Sequence, residues 1–219
     1  MKKGFTLAEV LVTLGIIGVV AALTIPALNA NVAAQKIGPA LSKAVNTLEN
    51  ANRRALVETE STAFSGSDYL ANISTYVNGN LYTPSNAYPV KQYNGTTAVT
   101  IDKKVMLTKD GIGYYTNGTG TISSVSDTEK YSGTYYNVYV DINGPEAAPN
   151  SLGKDVFRFA VDTAGSVIPY GGLMWKDYGG ASTILWNASS ATRCKGSTVD
   201  TGNECAGAVA DNGWKAAYK

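Results

Sequence analysis

The chain has 219 residues, 44% of them hydrophobic, with 18 basic and 17 acidic side chains and a formal net charge of +1. That length suits one domain of ordinary size beyond an N-terminal helix, and so balanced a charge leaves no basic footprint for nucleic acid. There is no histidine and there are only two cysteines, which excludes Ser-His-Asp and Cys-His catalysis, every His-based metal site and a zinc site built from cysteine alone.

The sequence opens MKKGFTLAEVLVTLGIIGVVAALTIPALN, and residues 5–25 form an apolar run interrupted only by Thr6, Glu9, Thr13 and Thr24. A run of this kind is about long enough to cross a hydrocarbon core of roughly 30 Å at 1.5 Å per residue. Threonine hydroxyls bond back onto helix carbonyls, but a carboxylate has no such outlet, and ionisable groups inside spans usually mark function. Glu9 is therefore the anomaly, unless it sits near one end of a plain anchor and snorkels to the interface. A secretory signal would carry a shorter apolar core followed by a small-residue cleavage site. Here a glycine, Gly4, precedes the run, behind Lys2 and Lys3. No Lys or Arg follows these two until Lys36, so the positive-inside rule puts the first residues in the cytoplasm and the bulk of the chain outside.

In Lys2, Lys3 and Gly4, in Phe5 at the head of the apolar run, in Glu9 and in Pro26, the chain resembles the type IV pilin and type II secretion pseudopilin family. The resemblance implies a prepilin leader of residues 1–4, removed by a membrane prepilin peptidase that cuts between Gly4 and Phe5 and methylates the new amine. It implies a transmembrane and polymerisation helix over residues 5–28 that assembles with identical or homologous pilin subunits through an inner-membrane assembly platform. Glu9 would meet the Phe5 amine of a neighbouring subunit. The product would be a type IV pilus on the cell surface or a secretion pseudopilus in the periplasm, drawn from subunits held in the bacterial inner membrane. Gly15 and Gly18 permit close helix approach within the span.

Beyond Pro26 the apolar residues become periodic: Ile37, Leu41, Ala44, Val45, Leu48, Ala51, Ala55 and Leu56 recur at three and four, with Lys36, Lys43, Glu49, Arg53 and Arg54 on other sides. This predicts an amphipathic continuation of the same helix over residues 29–60. Pro26 and Pro39 lie inside the pattern and should kink it without ending it, with Gly38 loosening the second site.

From about residue 61 the composition turns to Gly, Ser, Thr, Asn and Tyr, which suits a β-rich head over residues 61–219. A short helix is expected at 67–76 and a loop at 78–94. Strands are expected at 98–101, 105–108, 112–116, 135–142 and 156–161, with Asp110-Gly111 as a hairpin turn. The fold class is α+β: a pilin-like long helix, half transmembrane and half amphipathic, packed on an antiparallel sheet of about four strands. The tyrosines at 114, 115, 135, 136 and 139 read as strand and core packing more readily than as an aromatic ligand platform. In an exported chain, Cys194 and Cys205 read as one disulfide closing a C-terminal loop. The segment after it is expected to be a short helix stopped near Asn212-Gly213, with Trp214 docked on the sheet.

Two further functions compete with the structural subunit. A membrane-anchored enzyme would need a nucleophile and base or a carboxylate pair in a cleft, and without histidine the sequence favours no enzyme. A minor pilin with a binding head, for adhesion, DNA uptake or contact with an exported substrate, is compatible with the same N-terminal motif. The stretch DINGPEAAPNSLGKD leaves two readings open. Asp141, Asn143, Asn150 and Asp155, with Glu146, offer hard oxygen ligands for calcium, the one cofactor suggested, yet the same residues suit a turn-rich connection bonding its own backbone.

Overall fold

The computed structural model describes residues 6–66, 68–84, 88–101, 104–122, 133–172, 194 and 202–216. One helix, α1, runs unbroken from Leu7 to Glu58, 52 residues or about 78 Å at 1.5 Å per residue. It passes through Pro26 and Pro39, neither of which can donate to the carbonyl four residues back. Its first part, Leu7–Pro26, is long and apolar enough to cross a membrane and none of it is buried by the rest of the chain. Burial begins at Ile37 and continues through Leu41, Ala44, Val45, Leu48, Ala51 and Ala55, the face that the spacing of three and four marks out.

A short helix α2, Tyr69–Ile73, extended by a 3-10 turn at Ser74–Tyr76, lies where a short helix is expected. The strands are β1 (Gly79–Tyr82), β2 (Tyr88–Lys91), β3 (Thr97–Ile101), β4 (Val105–Thr108), β5 (Gly113–Ile122), β6 (Gly133–Asp141), β7 (Val156–Asp162) and β8 (Val167–Pro169), followed by helix α3 (Cys205–Asp211). The main sheet has six strands in the order β1-β4-β5-β6-β7-β8, and β2 and β3 form a separate two-stranded ribbon. All of these pairings are antiparallel.

The expected architecture stands, but the sheet is wider than the four strands anticipated. The stretch expected as a loop, 78–94, supplies β1 and β2. Those strands are four residues each and β8 is three. Pro89 and Pro169 further mask them, because proline lacks the N–H that a ladder needs. The inward residues of β7, Phe157, Phe159 and Val161, join the core that holds α1, but Val156 and Ala160 on the other face are equally buried. Val156 belongs to a second, smaller core with Val90, Val105, Tyr115, Tyr139 and Leu152, so part of the sheet's outer face is also covered. The tyrosines are packing residues, as read from the sequence: Tyr69 stacks on Tyr136 and Tyr115 on Tyr139.

Trp214 is half-buried against the core that α1 shares with the sheet. α3 ends at Asp211 with Asn212 as its cap, and the chain then crosses back onto α1. There the Trp214 carbonyl lies so close to Gly38 that a side chain at that position would run into it. Gly38 is therefore required for close approach of two backbones, a stronger reason than loosening the helix.

One polar side chain ties the layers together inside the core. Asn52 on α1 is fully buried; its Nδ2 donates to the Gly165 carbonyl at 2.8 Å, and the Tyr69 hydroxyl donates to its Oδ1 at 2.7 Å. It thereby sets α2 and the β7–β8 turn on the helix at one register. Replacing Asn52 with alanine orphans two buried partners, each costing about 1–3 kcal/mol. The Asn52→Ala chain is expected to lose about 3 kcal/mol of head stability in denaturant titration, while Leu48→Met, a volume-conserving change one turn earlier, loses under about 1.5 kcal/mol.

Candidate functional site

Two regions collect the residues that the sequence singled out. The first is the exposed start of α1. Gly4 and Phe5 lie outside the described residues, and Thr6 is the N-cap. Thr6 and Glu9 form a reciprocal capping box: the Glu9 N–H donates to Thr6 Oγ1 at 3.3 Å, and Glu9 Oε2 accepts from the Thr6 N–H at 2.9 Å and from its hydroxyl at 2.7 Å. The Thr-x-x-Glu spacing announces such a box, and reading Glu9 only as an intruder in a span passes over it. Both Thr6 donors converge on Oε2; among the described residues no hydrogen bond uses Oε1. Thr13 and Thr24 bond back to the carbonyls of Glu9, Val10 and Val20, so Glu9 is the one carboxylate in the otherwise self-satisfied stretch Leu7–Pro26.

The second region is the connection between β6 and β7, residues 142–155. It brings Asp141, Asn143, Asn150 and Asp155 together and leaves Glu146 exposed. Asp141 Oδ1 accepts from the Asn143 N–H at 3.2 Å. Asp155 accepts from the Asn150 and Ser151 N–H groups at 2.8 and 2.7 Å. The two asparagine amides brace the turn, Asn143 Nδ2 onto the carbonyls of Ala147 and Ala148 and Asn150 Nδ2 onto that of Pro145. Two oxygens in this set have no partner although fully enclosed, Asp141 Oδ2 and Asn150 Oδ1. Among the described residues no three carboxylates or cysteines cluster as a metal site, so a cation here would rest on two carboxylates and amide oxygens.

The Cys194–Cys205 disulfide is formed. It packs on the turn after β6, where Gly153 takes a φ of +78° and any side chain would meet both sulfur atoms and Tyr93. The bridge thus presses from the C-terminal side on the turn that presents Asp155. At the foot of the head a groove of about 830 Å³ runs beside Pro39, with Lys36, Ile37, Tyr93, Ile142, Pro149 and Lys154 in its walls. A second of about 600 Å³ lies across Pro39 against Trp214 and Lys215.

Burial, with the Asp155 charge nearby, pushes the Asp141 carboxyl up to about 7, and burial raises Asp155 as well. A carboxyl raised in the folded state is bound to its proton there while the unfolded chain has already released it. Stability from Asp141 is thus fully present near pH 4 and lost as pH rises toward 7 and beyond. With calcium chelated, Asp141→Asn is expected to melt close to the parent at pH 4 and to be more stable at pH 8. The gain is on the order of 2–4 kcal/mol, from about 1.4 per pKa unit. Parallel melting curves at the two pH values check this, and a variant less stable at pH 8 contradicts it.

The first 25 residues match the family model described as the prokaryotic N-terminal methylation motif. Neither the curated proteins nor the solved structures contain a match to the chain. The matched segment holds Gly4, Phe5 and Glu9 and passes into an exposed apolar helix that continues as the spine of an antiparallel sheet. The chain therefore carries, over residues 1–25, the N-terminal methylation signature of type IV pilins and pseudopilins.

Proposed function

We propose that the protein is a structural prepilin subunit, cut between Gly4 and Phe5, held in the bacterial inner membrane by α1 with its head outside, and drawn into a helical fibre. The observation that carries this is the continuity of α1: one helix with a wholly exposed apolar half behind the methylation motif and a half buried under the sheet. An exposed apolar half suits a bilayer and, after extraction, a bundle of identical helices. A heterologous contact of this kind that does not close produces a filament. The subunit would serve a pilus or a secretion pseudopilus, with prepilin peptidase and an inner-membrane platform as further partners.

Cleavage would leave a cationic amine on Phe5 beside Glu9. In a fibre core each charge is costly alone, and pairing Glu9 with the amine of a neighbour neutralises both at one axial stagger. The capping box leaves Oε1 as the oxygen to receive it. The missing hydrogen bonds at Pro26 and Pro39 would make these the points where α1 bends during extraction. The expected result is a fibre subunit whose mass begins at N-methyl-phenylalanine 5, and a Glu9→Ala chain that is processed and inserted yet yields few or no fibres. A mature N-terminus near residue 35, or normal fibre yield from Glu9→Ala, overturns the reading.

The unpartnered Asp141 Oδ2 and Asn150 Oδ1 favour a second element, a calcium ion held by Asp141, Asp155 and the amide oxygens of Asn143 and Asn150. Calcium would supply positive charge to two buried carboxylates and tie β6 to β7. Millimolar calcium is expected to raise the melting temperature at pH 8, because it stabilises only the folded state, and to do nothing for Asp141→Asn. Equal shifts in both chains mean that the ion binds elsewhere.

A further inference from the structure

The chain carries no charge from residue 10 to residue 35, so Glu9 and Lys36 bracket the uncharged part of α1. They are 27 residues apart, about 40 Å along a continuous helix. A bilayer with its headgroups is about 40–45 Å thick, whereas the hydrocarbon alone is about 30 Å. The apolar surface likewise does not stop at Pro26, since Leu28 and Val32 are still 63% and 40% exposed. With Val32 at the edge of the hydrocarbon, Lys36 stands about 6 Å above it, within the headgroup layer.

Lys36 is also where the head begins. The two grooves flanking Pro39 open at this level, and each brings another lysine to it, Lys154 and Lys215. Lys36 and Lys215 are exposed, and the Lys154 ammonium lies 5.0 Å from the centre of the Tyr93 ring. Tyr93 and Trp214 are half-buried beside them. Lysines with apolar stems next to Tyr and Trp form the combination that settles at a membrane–water interface. The acidic side chain in the same wall, Asp155, has its carboxylate turned to the backbone N–H groups of Asn150 and Ser151.

We infer that the underside of the head, through Lys36, Lys154 and Lys215 around the Pro39 grooves, seats on anionic phospholipid headgroups while the subunit waits in the membrane. The inference rests on α1 spanning a bilayer and not on fibre assembly, so failure of the pilin reading leaves it standing. A headgroup phosphate takes the lysine charges. Seating fixes the height and tilt of the head over the bilayer, which a lone helix leaves free.

The test is hydrogen exchange on the full chain in lipid nanodiscs carrying one copy each, made of phosphatidylcholine alone or with half phosphatidylglycerol. Amides of residues 150–155 and 213–216 are expected to exchange about tenfold more slowly in the anionic discs. High salt should remove that protection, as should Lys36→Gln combined with Lys215→Gln, two surface changes that leave the core amides of β6 and β7 protected. Lys36→Arg with Lys215→Arg should restore it. Equal exchange in the two lipids overturns the inference. Protection that appears only with two copies per disc, whatever the lipid, also overturns it and assigns the grooves to a second subunit.

Discussion

The structure depends on a single helix having to satisfy two different surroundings without a break. A helix pairs its own backbone groups internally, so it can leave hydrocarbon and enter a protein core with no unsatisfied N–H or C=O at the boundary. In α1 the change from Leu7–Pro26, exposed all round, to the one-sided burial from Ile37 onward is made by side chains alone. The six-stranded sheet then has a ready apolar stripe to cover. Neither partner is stable without the other: the stripe of Ile37, Leu41 and Leu48 would face water, and so would Phe157, Phe159 and Val138.

Where the head is built from periodic or alternating segments, its form is legible in the sequence. The spacing of three and four from Ile37 to Leu56 marks the buried face of α1, and the runs at 135–142 and 156–161 mark β6 and β7. The elements that were not legible are short and carry residues that argue against a strand: Gly79 and Asn80 in β1, Pro89 in β2, Pro169 in β8. These form because a neighbouring strand offers a ladder, which is a tertiary cause that no local window contains. The segment at Trp214 illustrates the same limit. Its backbone lies against α1 because Gly38, far away in sequence, has no side chain there.

The candidate sites were legible to different depths. Glu9 stands out because a carboxylate in an apolar run is costly, and the Thr6 box shows how the start of the helix accommodates it. Around Asp141 the residue types were visible but their division of labour was not. Asn143 and Asn150 spend their amide N–H groups on holding the turn, and Asp155 accepts from the backbone, so the enclosed oxygens of Asp141 and Asn150 are left over. Leftover groups of this kind arise from three-dimensional accounting and have no sequence signature.

The return of the chain to Gly38 has a mechanical meaning. A pull along α1 away from the head would load the head in shear, and the first turn to feel it would be the one at Ile37 and Gly38, where burial starts. The Trp214 backbone is laid on that turn, and behind it α3 is tied through Cys205 to Cys194 and backed by the turn at Gly153. Tension entering the head at the end of the buried helix face would thus be shared at once with the C-terminal segment instead of peeling the helix away one turn at a time.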